Sequence, residues 1–168
     1  MSRVLLLLTI VFLGACDVYP EDPRRTLEQV QSRHVLRVGV IEHRPWAYRN
    51  GDAAAGIEAE AVAAFARRLQ VAPRWTFLSE AEAADSLKQH DLDLVIGGLT
   101  EASPRKDEIG FTRPYCETAD SKKGRHVLAV PRGENRFLSA VEVFLDSQGE
   151  SLRSACQKEQ GRGPNSPL

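Results

Sequence analysis

Cysteine is scarce, with three in 168 residues. That is too few for a disulfide scaffold, and the spacing of a zinc site is missing. An excess of one charge is also lacking. Lys and Arg number 22 against 23 Asp and Glu, a formal net charge of −1. Neither a basic nucleic-acid surface nor an acidic cation-binding tail is indicated. Gly (12) and Pro (9) stay at ordinary levels, which excludes collagen-like and low-complexity chains. There is no internal repeat and no Gly-rich phosphate loop, since Gly97-Gly98 alone is not one. No Ser/His/Asp arrangement has a motif around it, and His34, His90 and His126 lack ligand spacing. Glu42-His43 reads as a solvated loop pair. Nothing implies an enzyme, a metal or a cofactor. What is present, 42% hydrophobic and 27% charged residues, suits one globular domain with tails.

The N-terminal run Val4 to Leu13 is apolar but for Thr9. As a helix it would rise only ~15 Å, half a hydrocarbon core, so it reads as a signal h-region and not a membrane span. Arg3 precedes it, and Leu13-Gly14-Ala15-Cys16 ends it. That ending resembles the lipobox of bacterial lipoproteins, in which the cysteine is acylated and becomes the new N-terminus. The expected organisation is a signal peptide over 1–15, lipid on Cys16, a Pro- and charge-rich tether over 16–25, a folded region over 26–156 and a flexible tail over 157–168. Asp17 resembles the residue that retains Gram-negative lipoproteins in the inner membrane. The expected location is therefore the periplasmic side of that membrane, lipid-anchored. An oxidising compartment allows Cys116 and Cys156 to pair.

Within the folded region, strands alternate with helices. Thr26 to Arg33 reads as a short helix, Val35 to Ile41 as a strand, and Asn50-Gly51-Asp52 as a turn. Ile57, Ala61, Phe65 and Leu69 recur at a spacing of four, with Val62 and Ala66 beside them, which predicts a helix over 57–69. Trp75 to Leu78 is a second strand. Ser79 and Glu82 form a capping box for a helix over 80–89. Asp93 to Ile96 is a short apolar strand of the kind buried in parallel sheets. Ser103-Pro104 predicts another short helix. Phe111 to Cys116 and His126 to Val130 are extended runs. Asn135 to Asp146 is a helix with Phe137, Val141, Phe144 and Leu145 on one face, and Gly149 is its stop signal. The alternation predicts an α/β domain with a mainly parallel sheet.

Five stretches together resemble the family 3 extracellular solute-binding proteins, the polar-amino-acid receptors of ABC importers. They are LRVGV (36–40), RPWAYRNG (44–51), GIEAEAVAAFARRL (56–69), SLKQHDLDLVIGGLTEASPRKDEIGFTRPY (86–115) and HVLAVPRGENRFLSAVEVFLDSQGE (126–150). The resemblance implies a single lobe of a type II periplasmic-binding-protein fold. Its sheet would have about five strands, mostly parallel, with helices on both faces. His126–Val130 would insert antiparallel beside Asp93–Ile96. Typical members leave the first lobe after the residue matching Tyr115, build a second lobe and return. Here only residues 116–125 intervene, too few for a second lobe.

By the same resemblance, Arg105 matches the arginine that forks an α-carboxylate, and Thr100 the hydroxyl residue beside it. Gly98 matches a wall position whose backbone approaches the ligand. Trp46 is either a stacking surface for ligand or a packed core residue. Ala102 stands where a second hydroxyl residue is common, and the amine-binding acid of the family belongs to the missing lobe. The implied function is a periplasmic binding protein taking a small amino-acid-like or carboxylate ligand, with an ABC permease or a second copy as partner. The competing reading is a degenerate lobe that docks on a membrane complex without binding solute. Cell-wall lytic enzymes that carry such a domain need a catalytic domain with far more chain than this.

Overall fold

The computed structural model describes residues 22–117 and 124–161. The signal peptide, Cys16, the first part of the tether and the last seven residues lie outside them. The chain runs α1 (Thr26–Arg33), β1 (Val35–Val40), β2 (Tyr48–Asn50), β3 (Ala53–Ala55), α2 (Ile57–Arg68), β4 (Ala72–Phe77), α3 (Glu80–Lys88) and β5 (Leu94–Ile96). Then follow β6 (Gly110–Phe111), β7 (Cys116–Glu117), β8 (Arg125–His126), β9 (Ala129–Val130), α4 (Asn135–Ser147) and α5 (Gly149–Gly161).

The main sheet has five strands in the order β4-β1-β5-β9-β6. β1 is parallel to both β4 and β5, with Val38 opposite Trp75 and Leu94. β9 is antiparallel to β5, with Val95 opposite Ala129, and to β6. This is one lobe of the expected fold, with the return strand inserted where the resemblance placed it. The pattern of each strand explains the two layers of helix. Leu36, Val38 and Val40 point to one face and bury against Val62, Phe65 and Ala66 of α2 and Phe137, Val141 and Phe144 of α4. Val95 and Ala129 point to the other and pack with Ala83, Ala84 and Leu87 of α3. Asp93, 1% exposed, seals the entry to β5, where it pairs with Arg33 and Arg37 and accepts the Arg37 N–H at 2.8 Å.

Local signals account for several boundaries. The Ser79 hydroxyl accepts the Glu82 N–H, and the Glu82 carboxylate accepts the Ser79 N–H at 2.9 Å, so the capping box is formed. β4 starts at Ala72, three residues before the expected Trp75, and takes in Pro73. A strand at the sheet edge tolerates proline because the missing N–H had no ladder partner.

Three expectations differ from the structure. Ser103-Pro104 opens no helix. The chain there makes successive single turns, Ser103 to Thr100, Lys106 to Ser103 and Glu108 to Arg105, because so short a segment cannot offset the cost of helix nucleation. The runs 111–116 and 126–130 each divide in two, one part in the main sheet and one in a separate β7-β8 ladder. The tail expected from residue 157 is the third: α4 stops at Ser147 as Gly149 predicts, but Gly149 then begins α5, which runs to Gly161 and takes in residues expected in the tail. Leu152 and Cys156, one turn apart, bury 94 to 98% of their surface and hold α5 in place (6% and 2% exposed).

Candidate functional site

Of the residues singled out from sequence, Trp46, Gly98 and Thr100 gather at the C-terminal ends of β1 and β5, where α/β folds bind ligands. After β1 the chain makes a tight loop. His43 and Ala47 exchange both backbone hydrogen bonds, at 2.7 and 3.0 Å, across a cis Arg44–Pro45 peptide. The carbonyls of Pro45 and Trp46 then accept the N–H groups of Ile57 and Glu58 at 3.2 and 2.9 Å, which satisfies the start of α2.

After β5, Gly97 and Gly98 have φ of 145° and 69°. A Cβ at Gly98 would lie 2.5 Å from Trp46 Cδ1 and 2.6 Å from His43 Nδ1. Glycine is therefore required both by conformation and by the close approach of the loop. The Gly97–Gly98 N–H groups point inward. Glu58, 1% exposed, accepts Gly97 N–H at 2.6 Å and Gly98 N–H at 3.1 Å, and the Tyr115 hydroxyl also donates to it. Burial raises the Glu58 carboxyl above its ordinary pKa, against the lowering effect of Tyr115 and the two N–H groups. Burial, then the Glu58 charge, raises the Tyr115 hydroxyl well above its ordinary value.

Thr100 pairs as an isolated antiparallel bridge with His126. The His126 ring stacks on Trp46, with centroids 3.9 Å apart. Its Nδ1 is buried and without a partner among the described residues. Burial, and then the charge of His43, lowers the His126 pKa.

Arg105 stands apart from this cluster in its contacts. Its Nη1 pairs with Asp85 of α3 at 2.9 Å and with Glu108 at 3.4 Å. Hydrogen bonding from Lys88, and then the nearby arginine charge, keep the Glu108 carboxyl below its ordinary pKa. Ser103 donates to Glu80 at 2.7 Å and fastens the same segment to α3.

The structure thus brings Trp46, Gly98 and Thr100 together through His126, and turns Arg105 toward α3. Trp46 is only 6% exposed. Its ring is covered by His126 and by the cluster of Cys116, Cys156, Ile57 and Tyr115, so of its two readings the structure has the packed core residue. His43, read from sequence as a solvated loop residue, is the exposed side chain beside Gly98. Its position three residues before Trp46 in a loop after a buried strand was the available signal. Glu58 and His126 were also missed as site residues. Nothing local marks Glu58 apart from Glu60, because only the crossing of α2 over the β5 turn distinguishes them. Cys116 and Cys156 are joined by a disulfide, with Cα atoms 6.3 Å apart. A cleft of about 340 Å³ beside it is lined by Pro114, Tyr115, Cys116, Glu117, Cys156 and Gln157, and by none of Gly98, Thr100 or Arg105.

Comparison with known proteins supplies the family. Membrane-bound lytic murein transglycosylase F of Vibrio campbellii is 33% identical over 92% of this chain and 33% of its own length. That of Idiomarina loihiensis is 30% identical over 88% of this chain and 34% of its own. The chain therefore spans about a third of these relatives. Among solved structures, a single-substitution mutant of the arginine-bound form of domain 1 from TmArgBP superposes with a TM-score of 0.67 at 21% identity, covering 74% of this chain and 98% of that one. An amino acid ABC transporter substrate-binding protein from Streptococcus pneumoniae, bound to L-arginine, gives 0.67 at 11% identity over 81% and 98%. At these identities the likeness is one of fold. The family profile itself matches residues 36–153, from β1 into the first turn of α5, and on that match the chain belongs to the bacterial extracellular solute-binding proteins, family 3.

Proposed function

We propose that this chain is a lipid-anchored, periplasmic binding lobe that takes a small amino-acid-like or carboxylate ligand on the face formed by His43, Gly98, Thr100 and Arg105. The observation that carries the reading is the state of Arg105. Its side chain is 30% exposed, and its guanidinium is held by side chains that are themselves 52% and 38% exposed, Asp85 and Glu108. Exposed ion pairs are worth about 0–1 kcal/mol, so a ligand carboxylate that forks the guanidinium can replace them. Trp46 serves this face as its floor, not as a stacking partner.

One lobe leaves a ligand half wet. Each polar contact then contributes only ~0.5–1.5 kcal/mol, and two or three of them give millimolar affinity at best, 1 mM being about −4.1 kcal/mol. A second copy or another protein covers the face in the working state. Domain 1 of TmArgBP, solved in an arginine-bound form, lends support to ligand binding by one lobe.

The relatives shift the expected setting from import toward the cell wall. Murein transglycosylases act on a polymer whose stem peptides carry amino-acid carboxylates, which are ligands of the class this face suits. Anchoring through acylated Cys16, with Asp17 retaining the protein in the inner membrane, completes the proposal. Ligand-observed NMR against the amino acids, simple dicarboxylates and short murein stem peptides tests it. Binding by any of these, lost in Arg105→Ala, supports the lobe as a receptor. Silence across all three classes favours an interaction module without solute. For the anchor, Cys16→Ser must abolish metabolic labelling with palmitate, and normal labelling of that variant would exclude it.

A further inference from the structure

One covalent bond does much of the work of holding α5 to the domain. Of the described α5 side chains, Leu152 and Cys156 are buried, while Glu150, Ser154, Gln157 and Lys158 face solvent. Ser154 bonds within its own helix, to the Glu150 carbonyl at 2.6 Å. No described α5 side chain has a hydrogen bond or ion pair to another element. The packing around the helix is open in two places. The cleft of about 340 Å³ has Cys116, Cys156 and Gln157 in its wall. A second, of about 150 Å³, is lined by Leu152 and Ala155 on one side and by Ile57, Ala61 and Ala64 of α2 on the other. A helix of 13 residues with so little apolar contact is marginal without its cross-link.

The other half of the bond sits beneath the candidate ligand face. Cys116 pairs with His126 in the β7-β8 ladder, and His126 stacks on Trp46 and bridges to Thr100. Tyr115, the preceding residue, donates its N–H to the His126 carbonyl at 3.1 Å and its hydroxyl to Glu58. Glu58 in turn holds the Gly97 and Gly98 N–H groups. Trp46, Cys116 and Cys156 form one buried cluster, with Ile57 and Tyr115 packed against it. The disulfide is the back of the floor on which Gly98 and Thr100 rest.

We propose that the Cys116–Cys156 bond is a redox switch, and that its reduction by a protein dithiol frees α5 and loosens the candidate ligand face. That this face holds a ligand rests on the receptor reading above. In the reaction, a thiolate of the dithiol attacks one sulfur, the S–S bond breaks, and the other sulfur leaves as a thiolate and takes up a proton. The second thiol of the dithiol then displaces the first sulfur. Two electrons pass to the bond, Cys116 and Cys156 become thiols, and the reductant becomes a disulfide. The larger cleft, with both half-cystines in its wall, is the approach. Bonded sulfurs lie ~2.0 Å apart, whereas unbonded heavy atoms need ~3.5 Å or more, so reduction drives the two half-cystines apart. Cys116 is fixed in its ladder, and α5 is the element that moves. Trp46 and Tyr115 then lose apolar cover, and water competes for the Tyr115–Glu58 hydrogen bond that steadies the Gly97–Gly98 turn.

The test compares oxidised protein with protein reduced by dithiothreitol in native buffer, both without ligand. Alkylation and mass measurement should show both thiols freed without denaturant. Amide exchange over 152–158 should quicken at least about tenfold, the amide resonances of Gly97 and Gly98 should move, and the strands β1, β4 and β5 should stay protected. In Tyr115→Phe, reduction should still free α5 but shift Gly97 and Gly98 less. The double variant Cys116→Ser with Cys156→Ser should resemble the reduced form and ignore dithiothreitol. A bond that yields only in denaturant overturns the proposal. So does a reduced protein in which 152–158 stay protected or Gly97 and Gly98 do not move, and so does global unfolding on reduction, which would make the bond a support of the whole fold. Every readout is taken without ligand, so it decides the switch whatever the face binds, and the receptor reading stands or falls separately on the carboxylate screen.

Discussion

The Trp46 indole and the His126 imidazole stack with centroids 3.9 Å apart and planes tilted by 31°. One residue belongs to the loop after β1 and the other to the return strand β8, so the contact ties together the two segments that flank Gly98 and Thr100. It also leaves an imidazole in a place that disfavours its charged form.

The pH dependence of stability should report that imidazole. Burial first, then the His43 charge, lowers the folded-state pKa of His126. As pH falls below about 6.5, the unfolded chain takes up this proton before the folded one does, so stability falls with pH in that window. His126→Gln should flatten urea-unfolding stability between roughly pH 7 and pH 5. An unchanged slope would show that the ring does not titrate as its surroundings dictate.

Glu58 should act with the opposite sign. Its folded-state pKa is raised, burial being the main cause. The folded chain therefore holds this proton more tightly, and the contribution is fully present below about 4.5 and is lost as pH rises through the folded pKa. Glu58→Ala should cost ~3 kcal/mol at neutral pH, since the Gly97 and Gly98 N–H groups and the Tyr115 hydroxyl lose their acceptor. In Glu58→Gln the stability lost relative to wild type should grow as pH falls toward 4.5. A deficit that is the same at acid and neutral pH would contradict this.

Gly98→Ala should destabilise the domain by ~1–3 kcal/mol, from positive φ and from the clash with Trp46 and His43. The amide resonances of residues 43–47 should move with it. Thermal unfolding at the wild-type midpoint would show that the loop yields without cost.

Reduction should loosen the C-terminal helix. The Cys116–Cys156 bond closes a loop with a separation of 40 residues, worth about 4 kcal/mol in the chain-entropy model. Cys156→Ser should lose ~2–4 kcal/mol, and dithiothreitol should have no further effect on that variant. Full alkylation of Cys116 and Cys156 in unfolded, unreduced protein would rule the bond out.

The strands and long helices were legible because each carries a repeating burial pattern. Leu36, Val38 and Val40 alternate, and Ile57 to Leu69 repeats every four. The Ser79 cap was legible for the same reason, a local rule with local partners. What escaped was non-local. Arg105 was placed by motif, yet its partner Asp85 lies twenty residues away on α3. Trp46 read as equally suited to ligand or core until the return strand brought His126 against it. Gly149 carried a stop signal that held for α4 and gave no hint of the burial drawing Leu152 and Cys156 into α5.

Arg105 offers the sharpest measurement. Asp85 competes with a ligand carboxylate for the same guanidinium, so amide-shift titrations of wild type, Asp85→Asn and Arg105→Ala should use the amino acid that gives the largest shifts in the screen. The expected dissociation constant is in the millimolar range for wild type, severalfold tighter in Asp85→Asn, with shifts at Gly98 and Thr100, and unmeasurable in Arg105→Ala. Equal affinity in all three proteins, or no shift in wild type with any amino acid, dicarboxylate or stem peptide, would contradict a carboxylate-binding lobe.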